Sequence, residues 1–151
     1  QIRESQINAL NKVGIKYISL EKPYTFEEIR NIYQRGAIYF MQSSEAFGIP
    51  TLECLCCGCQ IFTQESWWPM SWRLNEKPEI HGHGLLPECF TVYNDEEQLV
   101  KELINFKENY DLVETPKNVF NNFLEHYPDY YYGNEAEVKR FLANFEKETH
   151  V

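Results

Sequence analysis

The chain has 151 residues, 43% of them hydrophobic and 15% aromatic, which is enough to bury a core and excludes a disordered segment. Lys and Arg total 14 against 23 Asp and Glu, a formal net charge of -9, which argues against a nucleic-acid backbone as the main partner. No apolar run approaches the ~20 residues of a membrane helix, and the opening residues lack a signal-peptide pattern, so the expectation is one soluble, cytoplasmic domain.

In chain order, Ile2 to Lys12 carries a helical stripe of Ile2, Gln6, Ile7 and Leu10, and Asn11 to Gly14 ends it. Ile15 to Leu20 alternates apolar with polar and reads as a strand. Thr25 to Glu28 forms a capping box, with Tyr24 and Ile29 spaced as a hydrophobic staple, and a helix runs from Phe26 to Arg35 with Gly36 as its stop. Ala37 to Met41 is the next strand. After a loop, a short helix starts near Ile49 or Pro50, because proline suits a first turn where its missing N–H has no intrahelical partner. Gly58 closes that helix, and Gln60 to Thr63 is a further strand. The tract from Glu65 to Glu88 reads as a long loop, Cys89 to Tyr93 as a strand, and Asn94 or Asp95 as the cap of a helix presenting Leu99, Leu103, Ile104 and Phe106. Pro116 begins another helix with Val119, Phe120, Phe123 and Leu124 inward, His126 to Tyr132 connects, and Asn134 to Glu148 is a final helix burying Val138, Phe141, Leu142 and Phe145. The alternation of helix and strand predicts an α/β domain: a parallel, Rossmann-like sheet with helices on both faces and extra C-terminal helices.

The chemistry concentrates between Ser43 and Thr63. Glu45 and Glu53 bracket the loop-to-helix turn with seven residues between them, and Gly48 and Pro50 lie at the turn itself. A helix N-terminus at the C-terminal end of a buried strand offers free N–H groups and a positive dipole end, which suit a phosphate, and Gly48 allows close approach to the backbone. A carboxylate one turn away suits a vicinal diol, since it accepts two charge-assisted hydrogen bonds. Phosphate beside diol describes a nucleotide or nucleotide sugar. The same spacing also fits a helix whose first-turn glutamate only complements the dipole.

The run Glu45-Ala46-Phe47-Gly48-Ile49-Pro50-Thr51-Leu52-Glu53, followed by Cys57-Gly58, resembles the E-x7-E segment of group 1 glycosyltransferases of the GT-B fold. Ala46 stands where that family usually has glycine, and Gln60 where it usually has proline. The likeness extends from about Val13 to Ile104 and covers the later part of the family's C-terminal domain. It implies a donor-binding half of a longer enzyme that transfers a sugar from a nucleotide-diphosphate sugar with retention of configuration. On that likeness Phe47, Gly48, Ile49, Pro50, Thr51 and Glu53 bind the donor, with Glu53 on the ribose and Glu45 catalytic, at the transferred sugar. It also implies no metal cofactor, in keeping with the lack of an Asp-x-Asp motif, and an acceptor brought by a missing N-terminal domain. The family's basic Arg and Lys pair has no counterpart before Ile15, so residues 1–151 are expected to bind donor weakly and to transfer nothing alone. A chain that begins at Gln1 without methionine reads as a cut piece, whose unpaired sheet edge favours self-association as a dimer.

Other groups carry competing readings. Cys54, Cys56, Cys57 and Cys59 cannot converge on one metal from a short helix, where successive side chains diverge by about 100°. They read as packed small residues, with a zinc site completed by Cys89, His81 and His83 as the less favoured choice. Trp67, Trp68 and Trp72 suit stacking on sugar rings, burial, or a protein interface, and the last of these supports the alternative of a non-catalytic binding module.

Overall fold

The computed structural model describes residues 2–41, 45–64, 69–75 and 84–140. Three strands, β1 (Ile38–Phe40), β2 (Gln60–Gln64) and β3 (Phe90–Tyr93), form a parallel sheet in the order β1-β2-β3. Ile38 pairs with Gln60 and Phe40 with Phe62, while Ile61 pairs with Phe90 and Gln64 with Tyr93, so all three strands end on one edge. Helices cover both faces, which gives the Rossmann-like α/β architecture expected from the alternating pattern.

Strand alternation divides the core. Ile61 and Phe90 face one layer, where they meet Tyr33, Leu55, Trp72, Phe123 and Tyr127; Phe62 and Tyr93 face the other, with Ala9, Leu10, Leu99 and Leu103. The first layer holds α2 (Phe26–Arg35), α3 (Ile49–Cys56) and α5 (Glu114–His126), and the second holds α1 (Ile2–Val13) and α4 (Glu96–Asn109).

Local signals set the helix ends. The Thr25 hydroxyl accepts from the Glu28 N–H at 3.2 Å while the Glu28 carboxylate accepts from the Thr25 N–H at 2.8 Å, a reciprocal capping box. Asp95 caps α4 by accepting from the Gln98 N–H at 2.8 Å. At the end of α3, Cys59 N–H bonds to Cys54 O at 2.9 Å and Gly58 N–H to Leu55 O at 3.0 Å, the Schellman pairing, with Gly58 left-handed at φ 78°. Gly36 ends α2 differently: its φ is -76°, and what it accommodates is Cys59, whose Sγ would lie 3.4 Å from an added β-carbon.

Four expectations fail. Ile15 to Leu20 is not a strand: it has no regular structure, and Tyr17, Ile18 and Leu20 are exposed, because no strand among the described residues pairs with it to complete a ladder. Ile104 is exposed on α4, which buries Leu99 and Leu103 instead. Helix α5 starts at Glu114, before Pro116, where the Asp111 side chain accepts from the N–H groups of Val113 and Glu114, both at 2.8 Å. Residues 135–140 are helical, but Val138 is exposed and buries nothing; Phe141, Leu142 and Phe145 lie outside the described residues. The tyrosine-rich connector is itself a short helix, α6 (Pro128–Tyr132).

Candidate functional site

Because β1 and β2 are parallel and in register, β1 ends at the C-terminal edge of the sheet, and α3 is the next element of the chain. Ligands of open α/β sheets bind at that edge. The N-cap of α3 is Gly48, at φ 71° and ψ 102°, a conformation that L residues rarely adopt, and Pro50 occupies the first turn. Thr51 and Leu52 N–H groups both donate to the Gly48 carbonyl, at 3.0 and 3.2 Å. Pro50 has no N–H. The amides of Gly48 and Ile49 therefore stand at the positive end of the helix with no protein partner among the described residues.

Glu45 reaches back to this turn. A β-carbon built on Gly48 would fall 2.7 Å from the Glu45 carboxyl carbon and 2.9 and 3.0 Å from its two oxygens. The carboxylate thus occupies the space left by the missing side chain. Glu53 lies about a turn further along α3, half-buried like Glu45. Both carboxylates act on the same two phenols. Burial, then Glu45, hold the Tyr39 phenol well above its usual range; burial, then Cys54 and Glu53, push Tyr33 up to about 12. Glu45, Glu53, Tyr33 and Tyr39 accordingly share one neighbourhood, and the two tyrosine rings meet edge to face at 6.1 Å. The tyrosines escaped sequence reading because each sits in an apolar stripe and resembles a core residue.

The remaining residues of the segment divide by burial. Ile49 is exposed, whereas Thr51 is fully buried, its hydroxyl without a hydrogen-bond partner among the described residues. Phe47 is an anchor. Its ring stacks on Trp72 at 5.2 Å and 5°, its carbonyl accepts from the Trp72 indole N–H, and the Ala46 carbonyl accepts from Ser71 N–H at 3.1 Å. Trp72 is fully buried and is itself gripped by Tyr127, whose hydroxyl donates to the Trp72 carbonyl, and by Phe123. The tryptophan turn Met70–Trp72 is thus the bracket that fixes the glutamate loop. Trp67, Trp68, His81 and His83 lie outside the described residues.

Cys54 and Cys59 pack in the core at the end of α3, as Cys89 does before β3. Cys59 donates to the carbonyls of Tyr33 at 3.2 Å and Gly36 at 3.1 Å, Cys54 is buried with its thiol held far above the usual range by its hydrogen bond to Cys59 and by burial, and Cys56 points to solvent. Among the described residues no three His, Cys, Asp or Glu side chains converge as a metal site. Among the described residues, too, no helix is long and apolar enough to cross a membrane.

No family model, no curated protein and no solved structure matches the chain.

Proposed function

We propose that residues 1–151 are the later part of the donor-binding half of a retaining GT-B glycosyltransferase, acting on a nucleotide-diphosphate sugar. The observation that carries this reading is the turn at α3: two amides at Gly48 and Ile49 with no partner among the described residues, the Glu45 carboxylate against Gly48, and Glu53 one turn on, all at the C-terminal edge of a parallel sheet. The amides receive the distal phosphate and, with the helix dipole, stabilise the diphosphate as it departs. Glu53 accepts from the ribose hydroxyls. Glu45 shares its space with the incoming phosphate, so like-charge repulsion turns its carboxylate away from the helix end and toward the transferred sugar.

The alternative, a non-catalytic module docking a protein through its tryptophan loop, loses Trp72, which is fully buried and holds Phe47. The test is sugar transfer by the longer protein. Radiolabelled uridine-, guanosine- and adenosine-diphosphate sugars are offered in turn, and transfer that falls in Glu45→Gln and Glu53→Gln while folding is unchanged supports the proposal. Undiminished transfer in both variants refutes it.

A further inference from the structure

At the N-terminal edge of the sheet, opposite the glutamate turn, a pocket of about 270 Å³ opens between the later turns of α4 and the first turns of α5. Sites for drug-sized ligands commonly measure roughly 300–1000 Å³, so this one suits a single small unit. Gln60, the first residue of β2, lines it on the α4 face of the sheet, which it shares with Phe62 two residues on. Gln60 is only 8% exposed, and a carboxamide so buried costs free energy wherever its polar atoms lack partners.

Two carboxamides grip the peptide between Glu88 and Cys89. Gln60 Nε2 donates to the Glu88 carbonyl at 2.8 Å and to the Thr91 hydroxyl at 3.1 Å, while Asn122 Oδ1 accepts from the Cys89 N–H at 2.8 Å. A carbonyl can only accept and a backbone N–H can only donate, so both amide orientations are fixed. Gln60 keeps its Oε1 acceptor and Asn122 its Nδ2 donor, and neither atom has a partner among the described residues. Both residues line the pocket, which therefore has one acceptor and one donor of settled orientation.

That pair selects the ligand. No Lys, Arg or His lines the pocket, so a phosphate or carboxylate would find no charge to meet it. The fixed N–H of Asn122 opposes a cation. A hydroxyl both accepts and donates, and so matches the two groups together. Glu102, half-buried on α4, and Asn118 on α5 line the same pocket without a side-chain hydrogen bond among the described residues, and Phe106 adds an apolar ring. We infer that this pocket binds one neutral hexose unit, its hydroxyls shared among Gln60, Asn122 and Glu102 and its C–H face against Phe106. The inference rests on the pocket alone and stands whether or not the α3 turn holds a nucleotide.

The test is a nitrogen-15 NMR titration of residues 1–151 with glucose, galactose and mannose at millimolar concentration, read at the side-chain NH2 signals of Gln60 and Asn122 and at the Cys89 amide. For at least one sugar the expected result is saturating shifts at those signals, unchanged by excess uridine diphosphate, with affinity about tenfold lower in Glu102→Ala. Asn118→Ala, at an exposed position, supplies the same comparison if Glu102→Ala does not fold. No shift with any of the three sugars, equal shifts with glycerol, displacement of the sugar by uridine diphosphate, stronger shifts with calcium ions than with sugar, or unaltered affinity in the folded variants would each overturn it.

Discussion

The Glu45 carboxylate fills the space that a side chain at Gly48 would need, since a β-carbon there would stand 2.7 Å from the Glu45 carboxyl carbon. The glycine does two things at once. It supplies the left-handed backbone at φ 71° that starts α3, and it leaves room for an acidic group beside helix amides that have no partner among the described residues.

Gly48→Ala is accordingly expected to lower stability by about 1–2 kcal/mol through backbone strain alone, and to displace Glu45. Urea unfolding measures the first effect. In the longer protein, loss of sugar transfer beyond what the lost stability explains measures the second, and a fully active variant would show that Glu45 is not held in place by Gly48.

The two carboxylates are separable from the fold. Neither makes a hydrogen bond to the described protein, so Glu45→Gln and Glu53→Gln leave the melting temperature unchanged within about a degree of stability-neutral surface substitutions. On the proposed function each would remove one charge-assisted hydrogen bond to donor or transition state, worth ~1.5–3 kcal/mol. The check is kcat/KM of the longer protein, where a tenfold to hundredfold fall is the expected outcome.

Gly58 faces a stricter demand. It is left-handed at φ 78°, and a β-carbon there would lie 2.6 Å from the Pro116 carbonyl oxygen and 2.7 Å from the Pro116 β-carbon. Strain of ~1–2 kcal/mol adds to overpacking of ~1–3 kcal/mol, so Gly58→Ala destabilises more than Gly48→Ala in denaturant unfolding. An equal or smaller effect would mean that α5 shifts freely away from α3.

Alkaline pH is expected to unfold the protein through buried neutral groups. Burial pushes the Cys89 thiol up to about 12 and is the largest influence that raises the Tyr33 phenol to about 12. A folded value raised above the unfolded ~8.5 for Cys and ~10 for Tyr favours the neutral form in the fold. The stability it contributes is complete below about pH 8.5 and is lost as pH rises toward 12. Melting temperature should fall across that window, and less steeply in Cys89→Ala. A flat profile to pH 12 would contradict the burial of these groups.

Sequence reading succeeded where one local rule had no competitor. The capping box at Thr25 and Glu28, the stop at Gly58, the start of α3 at Ile49 and Pro50, and three short apolar strands all follow from neighbouring residues. It failed where structure depends on a partner. Ile15 to Leu20 has a strand's alternation but no strand among the described residues to pair with, and Val138 lies on an apolar stripe that nothing described covers. At the site, the placing of Glu45 and Glu53 around the turn could be read from Gly48 and Pro50 alone. The support from Trp72 to Phe47 and the closeness of Tyr33 and Tyr39 could not, because both come from tertiary packing between distant segments.

On the proposed function the turn from Phe47 to Glu53 holds a nucleotide diphosphate. The most direct test is a nitrogen-15 NMR titration of residues 1–151 with uridine, guanosine and adenosine diphosphates at millimolar concentration. The account predicts weak, saturating shifts at the Gly48 and Ile49 amides for at least one nucleotide, with the Gly48 and Ile49 shifts abolished by inorganic phosphate in excess and the nucleotide's affinity lowered by Glu53→Gln. Amides from Phe47 to Glu53 that stay unmoved by every diphosphate, or shifts confined to other parts of the chain, would contradict it.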